Sequence, residues 1–588
     1  MTPHTLAALI LATAASALAA PPAILSVRQA LPEGASPADR ALPVGRYEKL
    51  ELRVDVQATF ENPYDPDDVD VWAEFTAPSG RVWKIWAFYN PSSWSALWMV
   101  RFAPTETGTW LYVLHALDRE GSAEGKPGQF TVIESPAHGF VRIAANQRYF
   151  EYTDGVPFYP VGLWYNDGYE SLTAGSITEE GLDALKQHGA NFVSFYSSPL
   201  ETMGTGLGRY DQSRAGRLDR IFEWCEKRRM HISWNIWFHS YFSEEVWGGG
   251  SARYRTNPYR LVTTADRFFS SPEAWKYQEN LLRYVVARWG CSRSLFLWFV
   301  VDEINGTEGW QNGGSEAAEQ WCRRVHEWLK ANDPYQRPTT GTQSGGIKQW
   351  WPGGYGIFDV AAREIYESQG HPMPAGGKAG PAADHPLQFS YRNYAKQTQD
   401  LWAGFRKPAI IGECGYDHTW YEPGTPGYLA MYHNALWAGL ANGLSASPFW
   451  WSNGPMTGDS VLTRSLLYFS QFLRGIAFGE NHWRPAALKV SSGDGWAMAG
   501  ERMTFGWVVN PAGGVANETF TVPGLEDGDY DVYLYRTWRG QYLEPIMAAS
   551  AGGALAVTIP ELKTDRGHAQ QMGDAVAFKI VKRGVGLQ

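Results

Sequence analysis

Apolar and polar positions alternate at every second residue early in the chain. Leu50, Leu52, Val54 and Val56 are interleaved with Glu51, Arg53, Asp55 and Gln57, the period of a strand buried on one face. Turn clusters at Asn62-Pro63-Tyr64-Asp65-Pro66 and Ala77-Pro78-Ser79-Gly80 bracket another alternation carried by Val71, Ala73 and Phe75. Further strands are predicted near 82–89, 98–102, 110–115 and 130–133. Short strands, turn signals and no helical period predict a β-sandwich over residues 46–137. Residues 21–45, rich in Ala and Pro, read as a loose lead-in.

From residue 138 the pattern changes to apolar runs alternating with helical stripes. Strands are predicted at 158–164, 191–196, 231–238, 295–301, 338–342, 358–366, 409–413 and 445–451. Between them, Leu218, Ile221, Phe222 and Cys225 fall at i, i+3, i+4 and i+7, one buried helical face. Thr178 and Gly189 bound a helix, and Ser271-Pro272-Glu273 opens another with a cap and an N-terminal proline. Eight strands alternating with helices predict a (β/α)8 TIM barrel over 138–484. Strands near 503–509, 520–522, 530–535, 556–559 and 575–580 return to the short-strand pattern, which predicts a second β-sandwich over 485–588. The fold class expected is therefore multidomain, a central barrel flanked by two β-sandwiches.

Composition narrows the function classes. The net charge is −10 over 588 residues, so no general basic footprint for nucleic acid exists. The 28 Trp, 30 Tyr and 27 Phe fit a protein that offers flat faces to sugar rings, with core packing the alternative at each position. Residues 1–20 have an apolar stretch and the small-x-small site Ala17-Leu18-Ala19, which reads as a secretory signal and predicts a secreted or periplasmic protein. No later window reaches the roughly 20 apolar residues of a membrane span. Cys225, Cys291, Cys322 and Cys414 show no metal-type spacing, and their pairing stays open.

The chemistry is concentrated where two apolar runs end. Phe296-Leu297-Trp298-Phe299-Val300-Val301 runs into Asp302-Glu303, and Ala409-Ile410-Ile411-Gly412 into Glu413. Barrel active sites form at the C-terminal ends of strands, and carboxylates placed there are costly without a purpose. Strands four and seven lie on roughly opposite sides, so Glu303 and Glu413 can flank one sugar, as glycoside hydrolysis requires. The same strand-end rule marks Tyr366 and Glu364 on strand six, and Asn235, Trp237 and His239 on one face of strand three. It also marks Trp164 and Asn166 on strand one, and Trp450 and Trp451 on strand eight, one of them a sugar platform and the other core. No Walker loop, dinucleotide fingerprint, HExxH or GxSxG elbow competes. No cofactor and no metal site is expected.

Trp298-Phe299-Val300-Val301-Asp302-Glu303 and Ile410-Ile411-Gly412-Glu413 resemble the acid/base and nucleophile strands of the large retaining (β/α)8 glycoside hydrolase clan, including its apiosidase-like and cellulase-like members. The resemblance covers about residues 150–480 and implies Glu303 as acid/base, Glu413 as nucleophile and Tyr366 bonded to that nucleophile. Many members of the clan carry Asn before the acid/base; here the residue is Asp302, which when ionised only accepts hydrogen bonds. Tyr47-Glu48-Lys49-Leu50-Glu51-Leu52 and Arg101-Phe102-Ala103-Pro104-Thr105-Glu106-Thr107-Gly108-Thr109-Trp110 resemble the immunoglobulin-like domain that precedes such barrels. Asp529-Tyr530-Asp531-Val532-Tyr533-Leu534-Tyr535 resembles a C-terminal sandwich named for collagen binding. The expectation is an exported retaining glycoside hydrolase with a carbohydrate substrate. The alternative is a non-catalytic carbohydrate-binding or adhesion protein on a degenerate barrel. Sugar, linkage, endo or exo action and oligomeric state stay open.

Overall fold

The computed structural model of the chain describes residues 20–30, 42–91, 97–165, 177–197, 199–246, 253–345, 349–366, 390–415, 426–451, 461–510, 514–562 and 574–585. The expected export signal and Asn166 fall outside them.

The central sheet has eight parallel strands: β1 (Gly162–Trp164), β2 (Phe192–Tyr196), β3 (His231–Phe238), β4 (Leu295–Asp302), β5 (Thr339–Thr340), β6 (Ala361–Tyr366), β7 (Ala409–Gly415) and β8 (Trp450–Trp451). The pairing order β5-β4-β3-β2-β1-β8-β7-β6 wraps the sheet into a nearly closed barrel. The β5–β6 seam has no regular ladder, but Val360 N donates to Thr339 O at 3.1 Å and Tyr366 N to Gly345 O at 3.1 Å. Every residue of β4 and β7 is buried, as strands covered on both faces must be.

Two apolar clusters divide the barrel residues. The interior one contains Trp164, Phe192, Tyr196, Phe238, Phe296, Leu297, Phe299, Ala362 and Ile410. A small antiparallel sheet (Val141–Ile143, Phe150–Tyr152, Pro157–Phe158) adds Phe150 and Phe158, whose rings lie 5.1 and 5.6 Å from Phe296. This sheet plugs one end of the barrel and leaves the strand C-termini to form the other. The second cluster lies between strands and helices and holds Trp234, Trp237, Trp298, Val300, Val301 and Cys414.

The surrounding helices are α1 (Glu179–Gln187), α2 (Gln212–Arg228), α3 (Pro272–Trp289), α4 (Ser315–Asn332), α5 (Pro352–Ile357), α6 (Ser390–Gly404), α7 (Pro426–Ala441) and α8 (Val461–Leu473). Thr178 caps α1 and Ser271 caps α3 through their side chains, and the expected stripe of α2 is buried. All four cysteines are buried and none forms a disulfide.

A four-stranded antiparallel sheet and a six-stranded one, antiparallel except where Val44–Gly45 pairs parallel with its edge, precede the barrel, and seven- and three-stranded antiparallel sheets follow it. The described part of residues 21–45 contains regular strands, which a loose lead-in would not. Ala23–Gln29 pairs antiparallel with Leu50–Gln57. Its partner is remote in sequence and the strand is only half-buried, so local composition carried little of its signal. The N-terminal sheets are anchored to the barrel helices by charge. Arg101 donates to Glu51 and Asp219 at 2.8 Å each, and Arg288 donates to Asp219 at 2.6 Å. Tyr335 adds a hydroxyl that accepts from Ala103 N at 2.7 Å. At the other end, Tyr535 packs on Phe472 and Trp437 at 5.3 and 5.9 Å.

Burial pushes the Asp219 carboxyl up, but the Arg101 and Arg288 guanidiniums outweigh it and hold the group well below the usual carboxylate range. Removing it takes from the buried Arg288 its carboxylate partner and leaves the buried Arg101 with Glu51 alone. Asp219→Ala is expected to cost about 3–5 kcal/mol in urea unfolding at pH 7. The depressed folded value sets the sign: the contribution is present above the unfolded carboxylate range and disappears as pH falls. The gap between wild type and variant should therefore narrow below about pH 4; a gap that widens there would contradict the ion-pair account.

Candidate active site

At the C-terminal ends of β4, β6 and β7 four carboxyl groups converge: Asp302, Glu303, Glu364 and Glu413. Asp302, Glu364 and Glu413 are 1, 1 and 5 % exposed, and Glu303 is partly exposed. Local irregularities aim these side chains. Strict alternation from Phe299, which faces the interior, would turn Val301 inward and Asp302 outward. Val300 and Val301 instead both join the helix-side cluster, and Asp302 bonds Tyr196, an interior residue. Strand β3 slips in the same way, with Trp237 outside and Phe238 inside, and the pairs Trp237–Val301 and Phe238–Asp302 keep the two strands in step. A third shift between Arg363 and Glu364 skips Gly412 and sets Glu364 opposite Glu413. Bulges of this kind re-aim side chains beside active sites.

Glu303 follows with a left-handed backbone, φ 48° and ψ 45°, a conformation that costs a non-glycine residue about 1–3 kcal/mol. The turn is held from outside. Glu303 N donates to Thr342 Oγ1 at 3.2 Å, Ile304 N to Thr342 O at 3.1 Å and Gly306 N to Glu303 O at 2.7 Å. Asn305 bonds Ser344 in both directions at 2.8 Å, which ties this turn to the segment after β5. The Asn305-Gly306-Thr307 sequon is thus committed to internal bonding, with Asn305 buried.

Hydroxyl groups serve two of the four acids. Tyr366 donates to Glu413 Oε1 at 2.6 Å. The Tyr196 hydroxyl lies 2.5 Å from Asp302 Oδ2 and 3.2 Å from Glu413 Oε2, and Thr342 donates to Asp302 Oδ1 at 3.3 Å. Glu303 Oε2 faces His239 Nδ1 at 3.1 Å. Burial pushes His239 down to about 4. Burial, then the Asp302 charge, pushes Glu303 up to about 8. At neutral pH this contact therefore joins a neutral imidazole to a protonated acid rather than two ions. Asp302 is pushed up to about 6 by burial, against the hydrogen bonds it accepts. Burial and the Asp302 and Glu303 carboxyls raise Glu413, while its two tyrosine hydroxyls pull the other way.

The trios His239–Asp302–Glu303 and Asp302–Glu364–Glu413 each bring ligand-type atoms within 4.8 Å of one another, a spacing compatible with a cation. Hydroxyl or imidazole partners already engage three of these carboxyls, and shared protons supply the same neutralisation. We read both trios as proton-sharing clusters.

The remaining strand-end residues divide. Trp164 is fully buried, stacks on Tyr196 at 4.6 Å and donates to Gly412 O at 2.9 Å, so it braces β7 just before Glu413. Trp451 is partly exposed and lies 5.7 Å from Trp164 and 5.9 Å from Tyr196. Trp450 turns to the helices and meets Tyr432 at 5.0 Å. Asn235 is buried in register with Tyr196 and Phe299, its amide without a protein partner among the described residues. Trp237 is not brought to the carboxyls. It packs on Trp321 at 5.3 Å, because the slip in β3 breaks the period that put it on one face with Asn235 and His239. Two members of the cluster, Tyr196 and Thr342, escaped sequence reading. Tyr196 ends β2, and Thr342 ends the predicted strand 338–342, of which only Thr339–Thr340 forms a strand; the strand-end rule applied to every strand would have found both.

Comparison with known proteins bears on the fold. A family model described as a domain of unknown function, DUF5060, matches residues 43–116. No curated protein matches the chain. A solved structure of a candidate glycoside hydrolase from Bacteroides vulgatus ATCC 8482 superposes with a TM-score of 0.60 at 15 % identity, covering 92 % of this chain and 99 % of that one. The fold is that of glycoside hydrolase barrels. A second solved glycoside hydrolase gives a TM-score of 0.50 at 13 % identity and covers 77 % of this chain and 98 % of its own. Among the described residues no helix is long and apolar enough to cross a membrane.

A carboxyl raised by burial makes the folded state weaker as pH climbs from its ordinary value to its folded one, because the unfolded chain releases that proton first. For Glu303 this window runs from 4.5 to about 8. Glu303→Gln should raise the thermal midpoint relative to wild type, by an amount that grows from pH 5 to pH 8. An equal effect at both pH values would mean that Glu303 is not held protonated.

Proposed function

We propose that the protein is an exported retaining glycoside hydrolase, with an immunoglobulin-like sandwich before its barrel and a second sandwich after it. The observation that carries this reading is the pairing of a protonated carboxyl, Glu303, with one that accepts from the Tyr366 hydroxyl, Glu413, at the ends of β4 and β7 of one barrel. Burial raises both groups, but only Glu413 accepts from a phenol hydroxyl, which favours its anion, and such a difference in surroundings marks Glu303 as the acid and Glu413 as the nucleophile.

In this reading Glu303 gives its proton to the departing glycosidic oxygen while Glu413 attacks the anomeric carbon and forms a glycosyl-enzyme. Glu303, now ionised, takes a proton from water, and the resulting hydroxide displaces Glu413 with net retention. Tyr366 and Tyr196 orient Glu413, Asp302 accepts a hydrogen bond from a sugar hydroxyl, and Trp451 supplies an aromatic face. His239 and Asn235 complete the polar wall.

A second reading, a carbohydrate-binding or adhesion protein on a degenerate barrel, draws support from the Asp302 position and from the depth at which the carboxyls are buried. Turnover separates the two. On a panel of polysaccharides and aryl glycosides, Glu413→Ala should lower kcat by roughly 10^4-fold or more while leaving the circular dichroism spectrum intact. Proton NMR of the first product should show the anomeric configuration of the substrate. Sugar binding without product release over long incubation would favour the second reading, and an inverted first product would exclude double displacement.

A further inference from the structure

Glu364 stands apart from the other three carboxyls. It is 1 % exposed, the β6–β7 register shift points it at Glu413, and one of its oxygens lies within 4.8 Å of ligand atoms of both Asp302 and Glu413. Yet neither of its oxygens has a hydrogen-bond donor among the described residues. The Thr342 hydroxyl also lies beside Glu364, but it has one proton and gives it to Asp302 at 3.3 Å, and the Tyr366 proton goes to Glu413. Arg363, next in sequence, turns to the helix side, 5.4 Å from the Trp350 ring. A buried carboxylate without donors or a counter-ion is not tenable; a carboxylic acid in the same place is a donor itself.

We propose that Glu364 is a proton-bearing positioning residue: its O–H donates to Asp302 and completes a set of three O–H donors, with Tyr196 and Thr342, that makes Asp302 the fixed anion of the site. Asp302 then holds the proton on the neighbouring Glu303. Two of the four carboxyls are ionised and two protonated, in alternation: Glu364 protonated, Asp302 ionised, Glu303 protonated, Glu413 ionised. No Lys or Arg forms an ion pair with any of the four among the described residues, so this alternation replaces cationic neutralisation. The titratable groups facing Glu364 agree with the arrangement. They are Asp302 and Glu303 on β4, Glu413 on β7, Tyr366 on its own strand and Tyr355 on α5. All are acids, and after burial the three carboxylates are the largest influences that raise Glu364. The same chain explains how an Asp works where the resembling clan has Asn. The clan's amide is neutral, whereas here the acid tuned by the neighbouring charge is Glu303 itself.

The infrared arm of the test does not depend on catalysis, whereas the kinetic arm rests on the hydrolase reading, so their failures are distinguishable. At pH 7 the infrared spectrum should contain two protonated carboxyl bands from Glu303 and Glu364, beside that of Glu201 outside the cluster, which burial pushes up to about 7. Glu364→Gln should remove one of them. In the pH dependence of kcat/KM, Glu364→Gln, whose amide still donates to Asp302, should keep the alkaline limb where wild type has it. Glu364→Leu and Asp302→Asn should each move that limb down by roughly one pH unit or more, as loss of a neighbouring charge does. If Glu364→Leu does not fold, Glu364→Gln and Asp302→Asn carry the comparison. Two unchanged bands in Glu364→Gln would overturn the proposal, as would a limb that shifts equally in the Gln and Leu variants. Loss of the wild-type Glu364 band on adding Ca2+ alone would overturn it too, because a cation would then be doing the proton's work.

Discussion

Mutual repulsion among four carboxyl groups gathered at one barrel end, three of them buried, is the constraint to which the rest of the site answers. Like charges a few ångströms apart in a low-dielectric pocket cannot all ionise. The chain meets this with hydroxyls and protons. Tyr366, Tyr196 and Thr342 direct O–H groups at Glu413 and Asp302, and the acids without such donors retain their protons. Each hydroxyl comes from a different strand or strand end, β6, β2 and the residue pair beyond β5. Charge distribution in the site therefore depends on the register of the whole barrel. A shift of one residue in any of those strands would move a donor away from its acid and leave a buried charge uncompensated.

That register is set far from the carboxyls. The interior is filled by Phe192, Phe296, Phe299 and Phe449 and sealed at its lower end by Phe150 and Phe158. Close packing of such rings leaves little freedom for strand sliding. The helix layer is clamped in turn by the flanking sheets, through the Arg101–Asp219–Arg288 cluster on one side and Tyr535 with Phe472 on the other. These flanking contacts are made with helices. They stiffen the frame that holds Glu303 in a costly backbone conformation, and none of their residues belongs to the carboxyl cluster.

The sequence made the barrel legible because its strands are unusually apolar and its helices carry their own punctuation. Phe296 to Val301 can only be a strand covered on both sides, and Ser271-Pro272 starts α3 where the rules for caps place it. Strand ends were legible for the same reason: a run of apolar residues that stops at Asp302-Glu303 or at Glu413 stops visibly. What periodicity could not convey is the slip near the ends of β3 and β4. That slip arises from pairing between neighbouring strands, a tertiary effect, and it sends Trp237 to Trp321 while Asp302 turns inward. The choice between Trp450 and Trp451 likewise depends on which face of β8 meets α7. Ala23–Gln29 shows the same limit at the other end of the chain, since an edge strand is defined by its distant partner.

The proposed reaction asks Glu303 to be an acid in its first step and a base in its second, and the cluster contains the means for that change. While Glu413 is ionised, its charge and that of Asp302 both disfavour loss of the Glu303 proton. Formation of a glycosyl ester at Glu413 removes one of those charges at the moment when Glu303 has given up its proton. The ionised state of Glu303 becomes easier to bear, yet Asp302 keeps it basic enough to take a proton from water. A neutral amide at position 302 would leave this swing dependent on Glu413 alone. With Asp302 the resting acid is stronger in its hold on the proton, and the burden of keeping that anion in place falls on Tyr196, Thr342 and Glu364.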